Sequence, residues 1–272
     1  MEGRPVTPPL RITSRDNPLL MRLRRMAQDG TVYRRLGQIW LEGDHLCRAL
    51  RARGRSPAMA VISEEAWGLP SLNDLAGWAD KVIVVPGPLF AGFSALESPA
   101  GIGFVIDLPA PPAIAADLPT VVLDRVQDPG NVGSILRSAA AFGVRQVLAL
   151  AGTAALWSPK VLRAGMGAHF ALALHEGLDD TALHALQVPL LATSSHAGLS
   201  LPLAPLPWPC AWVLGHEGQG VSAALLGRCA LQVRIPQPGG EESLNVASAA
   251  AVCLYESQRR LFKETPGRPE FS

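Results

Sequence analysis

No uninterrupted apolar run approaches the roughly 18 residues that a membrane-spanning helix needs, although 48% of the 272 residues are hydrophobic. A helical membrane protein is therefore excluded. The leading residues MEGRPVTPPLRITSRDNP lack an apolar core and a small-residue cleavage site, so no secretory signal is expected. The four cysteines (Cys47, Cys210, Cys229, Cys253) show neither CxxC nor Cys/His ligand spacing. They read as free thiols of a reduced, cytoplasmic protein without a structural metal. Six histidines form no HExxH and no paired ligand spacing, and no serine or cysteine triad pattern accompanies them. A Walker A loop and a GxSxG elbow are absent too, which excludes P-loop nucleotide chemistry and the usual serine hydrolases.

Lysine is missing from residues 1–57, yet that stretch holds 12 arginines against 5 acidic residues. Its balance is 12 − 5 = +7, so with a net charge of +1 the remainder carries −6. An arginine-rich end suits bidentate phosphate contacts, and a solvated basic surface would look the same.

The clearest seam is Leu108–Pro119, with four prolines in twelve residues, which favours an extended linker. Before it, strand-like Gln38–Glu42, Ala58–Ile62, Lys81–Val85 and Gly101–Ile106 alternate with helix-like Gly43–Arg53 and Leu72–Ala79. Strands alternating with helices predict a small α/β domain. After it the alternation strengthens. Strands are expected at Thr120–Leu123, Gln146–Leu150, Phe170–His175, Leu190–Thr193, Ala211–Leu214 and Leu231–Ile235. Helices are expected at Val132–Phe142, Pro159–Met166 and Thr181–Leu186, and from Ser243 to about Arg260. This pattern predicts a mostly parallel α/β sheet. The expected division is 1–107, a linker 108–119, a second domain 120–262 and a flexible tail 263–272.

Ligands collect at the carboxyl ends of parallel strands, and three segments put unusual residues there. In Leu123-Asp-Arg-Val-Gln-Asp-Pro-Gly-Asn131, Asn131 stands where a helix N-cap is expected. Arg137 follows within that helix among small or apolar neighbours. It either pairs with Asp124 or Asp128, or faces an anionic substrate such as a phosphodiester. In Gly215-His-Glu-Gly-Gln-Gly220, three glycines follow a strand, as in a tight turn or a close approach to ligand. Glu217 there is a helix-N-terminal acid or a functional carboxylate, and His216 is placed to touch a ligand. In Ile235–Ala247, Ser243 is an adequate helix cap, whereas Asn245 has little local reason to be there, asparagine being a poor helix-interior residue.

Together these three segments resemble, in order and spacing, the motifs of the SpoU (TrmH) family of RNA 2′-O-ribose methyltransferases in the SPOUT superfamily. The resemblance covers residues 119–262. Residues 14–18 (SRDNP) and 40–43 (WLEG) are more loosely similar to that family's N-terminal RNA-recognition domain. The resemblance implies a deep trefoil knot in the C-terminal domain and a homodimer. It implies S-adenosyl-L-methionine held largely by backbone at Gly215, Ile235 and Leu244, with Gly220 beside them. Residues 237–242 (QPGGEE) depart from the family's wording, and Gly165 stands where many relatives have serine. The implied catalytic set is Asn131, Arg137, Glu217, Ser243 and Asn245.

The implied reaction is methyl transfer to a ribose 2′-hydroxyl, which points to RNA rather than DNA. Guanidinium groups hold their proton at neutral pH, so Arg137 is expected to grip a phosphate and polarise the hydroxyl, with the other four orienting it and the ribose. A separate N-terminal domain favours ribosomal RNA over transfer RNA, the alternative substrate. A Rossmann-type methyltransferase fits poorly because the glycines come late. A catalytically silent RNA-binding protein would be free to lose Arg137 or Asn245, and neither is lost.

Overall fold

A computed structural model describes residues 8–194, 198–239 and 243–264. The chain divides into two units. One holds the residues up to Ala110 together with Trp157–Phe170; the other holds Pro111–Leu156 and the residues from Ala171 onward. A division contiguous in sequence did not anticipate that Trp157–Phe170 groups with the first unit.

The first unit contains β1 (Leu10–Arg11), α1 (Pro18–Gln28), α2 (Val32–Leu36), β2 (Gln38–Glu42), α3 (Asp44–Ala52), β3 (Met59–Ser63), α4 (Glu64–Trp67), α5 (Pro70–Ala76), β4 (Val82–Val85), α6 (Gly87–Phe93) and β5 (Ile102–Asp107). Its strands form one mixed sheet in the order β1-β4-β3-β5-β2. Sequence patterning did not reveal α1, although its start is well marked. The Asn17 side chain accepts the Leu19 N–H at 2.9 Å, and Pro18 takes the first helical position, where a missing N–H is harmless. Leu20, Leu23, Met26 and Ala27 of α1 are buried in a core shared with Trp40, Phe90 and Phe93.

The second unit contains β6 (Thr120–Asp124), α7 (Pro129–Ala141) and β7 (Gln146–Leu150); α8 (Pro159–Gly165) comes next in the chain but belongs to the first unit. Then follow β8 (Ala173–Leu178), β9 (Leu190–Thr193), β10 (Leu199–Ser200), β11 (Ala211–Gly215), α9 (Ala223–Leu226), β12 (Leu231–Arg234) and α10 (Val246–Glu264). The seven strands run in the order β10-β12-β9-β11-β6-β7-β8, and every pairing is parallel. β6, β7 and β11 are buried along their whole length, which is why they read as unbroken apolar runs rather than alternating ones. α10 packs on α7, and the Trp212 indole donates to Ser257 Oγ at 3.0 Å, fastening α10 to β11.

Four local expectations are corrected. A strand at Phe170–His175 is instead a 3-10 turn, Ala168–Ala171, followed by β8. The helix expected at Thr181–Leu186 is a 3-10 turn over Asp180–Ala185, opened by the Asp179 carboxylate on the Thr181 N–H. α7 begins at Pro129 with Asp128 as its cap, not at Val132 with Asn131. α10 begins at Val246 rather than behind a Ser243 cap, and it continues through Lys263 and Glu264, which the expected tail had included. His196, residues 240–242 of the 237–242 loop and the tail beyond Glu264 lie outside the described residues.

Candidate active site

The parallel register sets Gly215 at the end of β11 beside Asp124 at the end of β6. The two chemistry-bearing loops therefore leave the sheet as neighbours. Gly215 has a local reason to be glycine: a Cβ there would collide with the backbone of Gly220 and Val221, where the loop returns on itself. That return is closed by His216 and Gly220, each donating its N–H to the other's carbonyl, at 3.0 and 2.8 Å. The His216 Nδ1 accepts the N–H groups of Gly218 and Gln219, at 3.0 and 3.3 Å, so that nitrogen shapes the turn.

Glu217, at the turn's tip, crosses to the start of α7. Its carboxylate accepts the Gln127 N–H at 3.1 Å, the Asp128 N–H at 3.0 Å and the Asn131 Nδ2 at 3.0 Å. Partial burial alone would raise its pKa; the Asn131 amide and the two backbone donors outweigh that and lower it from 4.5 to about 2. Glu217 is thus a carboxylate tied to another segment, not an acid at its own helix's N-terminus.

Asn131 is the middle link. Its backbone N–H donates to the Asp128 Oδ1 cap at 2.8 Å, while its Oδ1 accepts Asn245 Nδ2 at 2.9 Å. The Asn245 Oδ1 in turn accepts the N–H groups of Ala247 and Ser248, at 2.9 and 3.3 Å, and so caps α10. The residue that lacked a local role is therefore the cap. One continuous chain, Glu217–Asn131–Asn245, joins the starts of α7 and α10 to the glycine-rich turn.

Ser243 lies at the wall of an adjoining cavity and makes no hydrogen bond among the described residues. The cavity measures about 600 Å³. Its walls include Thr193 at the end of β9, Gly215–Val221 from the end of β11 onward, and Ile235 and Ser243–Val246 after β12. All four residues expected to hold a cofactor (Gly215, Gly220, Ile235, Leu244) are among them, as are Glu217, Ser243 and Asn245. Gln237, which opens the stretch that departs from the family's wording, is a wall as well; Thr193 was missed by the sequence reading, and its signal was its place at a strand's carboxyl end.

Arg137 stands apart from this cluster. It lies six residues beyond Asn131 on α7, about 9 Å along the axis and a third of a turn round. It is exposed, on a stripe with Gly130, Ser134 and Ala141, and it has no ion pair or hydrogen bond among the described residues. The expected structural partners are engaged elsewhere, Asp124 with Arg125 at 2.9 Å and Asp128 in capping α7.

Among the described residues no cluster of three or more His, Cys, Asp and Glu is placed to hold a metal, and no helix is long and apolar enough to cross a membrane. Cys47, Cys210 and Cys253 are buried free thiols and Cys229 a half-buried one; burial pushes Cys210 and Cys253 up to about 12.

An all-parallel sheet whose late, glycine-rich turn and C-terminal helix start enclose one cavity defines a class, and comparison with known proteins names it. The model of the SpoU rRNA methylase family matches residues 119–255, and the chain belongs to that family. An uncharacterised tRNA/rRNA methyltransferase of Synechocystis sp. is 35% identical over 94% of this chain and 96% of its own length. The 23S rRNA (guanosine(2553)-2′-O)-methyltransferase of Bacillus subtilis is 33% identical over 79% of this chain and 86% of its own. The crystal structure of an AdoMet-bound rRNA methyltransferase from Sinorhizobium meliloti matches with a TM-score of 0.81 over 92% of this chain and 98% of that one. At 24% identity that match establishes the fold.

Proposed function

We propose that this chain transfers a methyl group from S-adenosylmethionine to a ribose 2′-hydroxyl of RNA, with 23S-type ribosomal RNA as the substrate. The observation that carries the reading is the Glu217–Asn131–Asn245 chain, whose two end residues line the 600 Å³ cavity. The cavity's volume lies within the roughly 300–1,000 Å³ usual for small-molecule sites. Leu226, Ile235 and Leu244 offer apolar wall, and the turns at Gly215–Gly220 and Ser243–Asn245 offer backbone polar groups. Those residues fit the cofactor and would hold it. When bound, S-adenosylmethionine supplies an electrophilic methyl carbon on a sulfonium centre.

This chain's residues divide the remaining work. Arg137, exposed and without a partner among the described residues, grips the phosphate beside the target ribose and polarises the hydroxyl. Glu217, Asn131 and Asn245 orient the ribose, with Ser243 at the cavity wall. Glu217 is no match for a general base at neutral pH, because a carboxylate with a pKa of about 2 has little proton affinity there. The amides are not bases either, so the proton leaves to a group other than these.

The reading extends to the family's deep trefoil knot, and what supports it is that the segments after β9, β11 and β12 meet round one cavity. It extends also to RNA recognition by residues 1–107 and catalysis by residues 120–262, to a homodimer, and to a cytoplasmic protein working without a metal. Tritiated-methyl transfer to ribosomal and transfer RNA pools, followed by nuclease mapping, tests it. Label on a ribosomal RNA ribose is expected. Label on transfer RNA would move the substrate, and label on a base or none at all would overturn the reaction.

A further inference from the structure

The glycine-rich turn is tied to β6 and its following loop at three places, and only two concern carboxylates. Glu217 gathers the donors already described. Asp124, 3% exposed, accepts the Ser222 N–H at 2.7 Å and the Arg125 Nε at 2.9 Å. The third tie is Arg125 Nη1 to Gln219 Oε1, at 3.0 Å.

Arg125 is held for this contact. Its φ of 60° is one of two positive values among the described non-glycine residues, a backbone state that arginine adopts only against steric resistance. Its stem lies over Gly152, where a Cβ would come within 3.1 Å of Arg125 Cγ. The buried Asp124 fixes one edge of the guanidinium, so the other edge projects at the turn. Gln219 is exposed, like Glu217, Gly218 and Gly220 beside it, and it is also a wall of the cavity.

From this geometry we propose that Arg125 is a positioning residue, a latch that fixes Gln219 and hence the Gly218–Gly220 wall of the cavity. It thereby sets the affinity and dwell time of the bound cofactor. This rests on the reading that the cavity takes S-adenosylmethionine. Of the three ties it is the one that opens without stranding a carboxylate, since Gln219 is neutral and exposed while Arg125 keeps Asp124. The wall therefore yields first at this point.

Two measurements on the full-length protein test the latch. The first is hydrogen exchange of the amides of residues 216–222 in cofactor-free protein. Gln219→Ala should speed it roughly 3–10-fold, the scale of one exposed hydrogen bond, and Arg125→Ala at least as much, because it also takes the partner from Asp124. Arg125→Ala/Gln219→Ala together should exchange like Arg125→Ala alone, because the contact to Gln219 is already gone in it. Gln219→Glu keeps the acceptor and gives it charge, so it should restore protection to wild-type level or above. The second is calorimetric titration with S-adenosylhomocysteine, in which Gln219→Ala should weaken binding by a similar factor and Gln219→Glu should not. Additive single effects, or a Gln219→Glu variant that behaves like Gln219→Ala, would overturn the latch. Wild-type protein that binds no cofactor analogue while its exchange follows the expected pattern would overturn the cofactor reading and leave the latch standing.

Discussion

Two stretches of one helix, less than two turns apart, are built on opposite plans. At the start of α7 the polar side chains are engaged: Asp128 caps the helix, Asn131 bridges Glu217 and Asn245, and Glu217 takes three donors. Further along, Arg137 has no ion pair or hydrogen bond among the described residues and faces solvent. A tied network spends its capacity on its own geometry and presents a preformed surface. A free guanidinium keeps its donors for something that arrives. That contrast is what an orienting group and a substrate-gripping group should look like before substrate binds.

The contrast breaks most sharply at Arg137. Arg137→Ala should lower single-turnover methyl transfer by about 10²–10³-fold while shifting unfolding free energy by no more than about 0.5 kcal/mol, as for other exposed positions. A large loss of stability would mean that Arg137 has an internal partner after all, and unchanged turnover would remove it from the site.

Asn245 allows its two jobs to be separated. Asn245→Asp keeps the oxygen that caps α10, where negative charge suits the helix N-terminus, but loses the donor to Asn131. Stability should hold while turnover falls about tenfold, roughly the worth of one hydrogen bond. Asn245→Ala loses both and should also cost about 1 kcal/mol in urea unfolding. Equal activity in Asn245→Asp and wild type would make the link to Asn131 incidental.

The smallest expected effect concerns pH. The folded pKa of Glu217, about 2, lies below its ordinary 4.5. Its stabilisation is therefore fully present above the ordinary value and is lost as pH falls from about 4.5 toward 2. Glu217→Gln should flatten the stability profile in that window alone. The effect is small because solvent screens an exposed carboxylate. Glu256, lowered to about 2 by its hydrogen bond to Arg259 against partial burial, and by Arg260, acts in the same direction. Only the difference between variant and wild type isolates Glu217, and parallel profiles would show that the three donors do not stabilise the fold.

Much of this was legible in the chain. β6, β7, β9 and β11 were readable because strands buried on both faces must be continuous apolar runs. Family membership was readable because chemistry restricts residue type at Asn131, Glu217 and Asn245 over a fixed order. The caps were misassigned by two or three positions. Asn131 and Ser243 are good capping residues in isolation, and a cap is decided by where helical backbone begins. Pro129 directly after Asp128 was the overlooked signal for α7. The Arg125–Gln219 contact had no signature, for its partners lie far apart in sequence and neither residue type is unusual.

The sequence by itself determined the parallel strands and the cluster of chemistry at their carboxyl ends, because periodicity and side-chain type are local properties. Only the tertiary structure decided who bonds to whom. It turned Asn245 from an unexplained residue into a cap and a link. It left Arg137 unpaired among the described residues by occupying Asp124 and Asp128 elsewhere, and it grouped Trp157–Phe170 with the first unit. The physical reason is the same throughout: a hydrogen bond depends on distance in space, which the register of β6 against β11 fixes and no neighbouring residue reports.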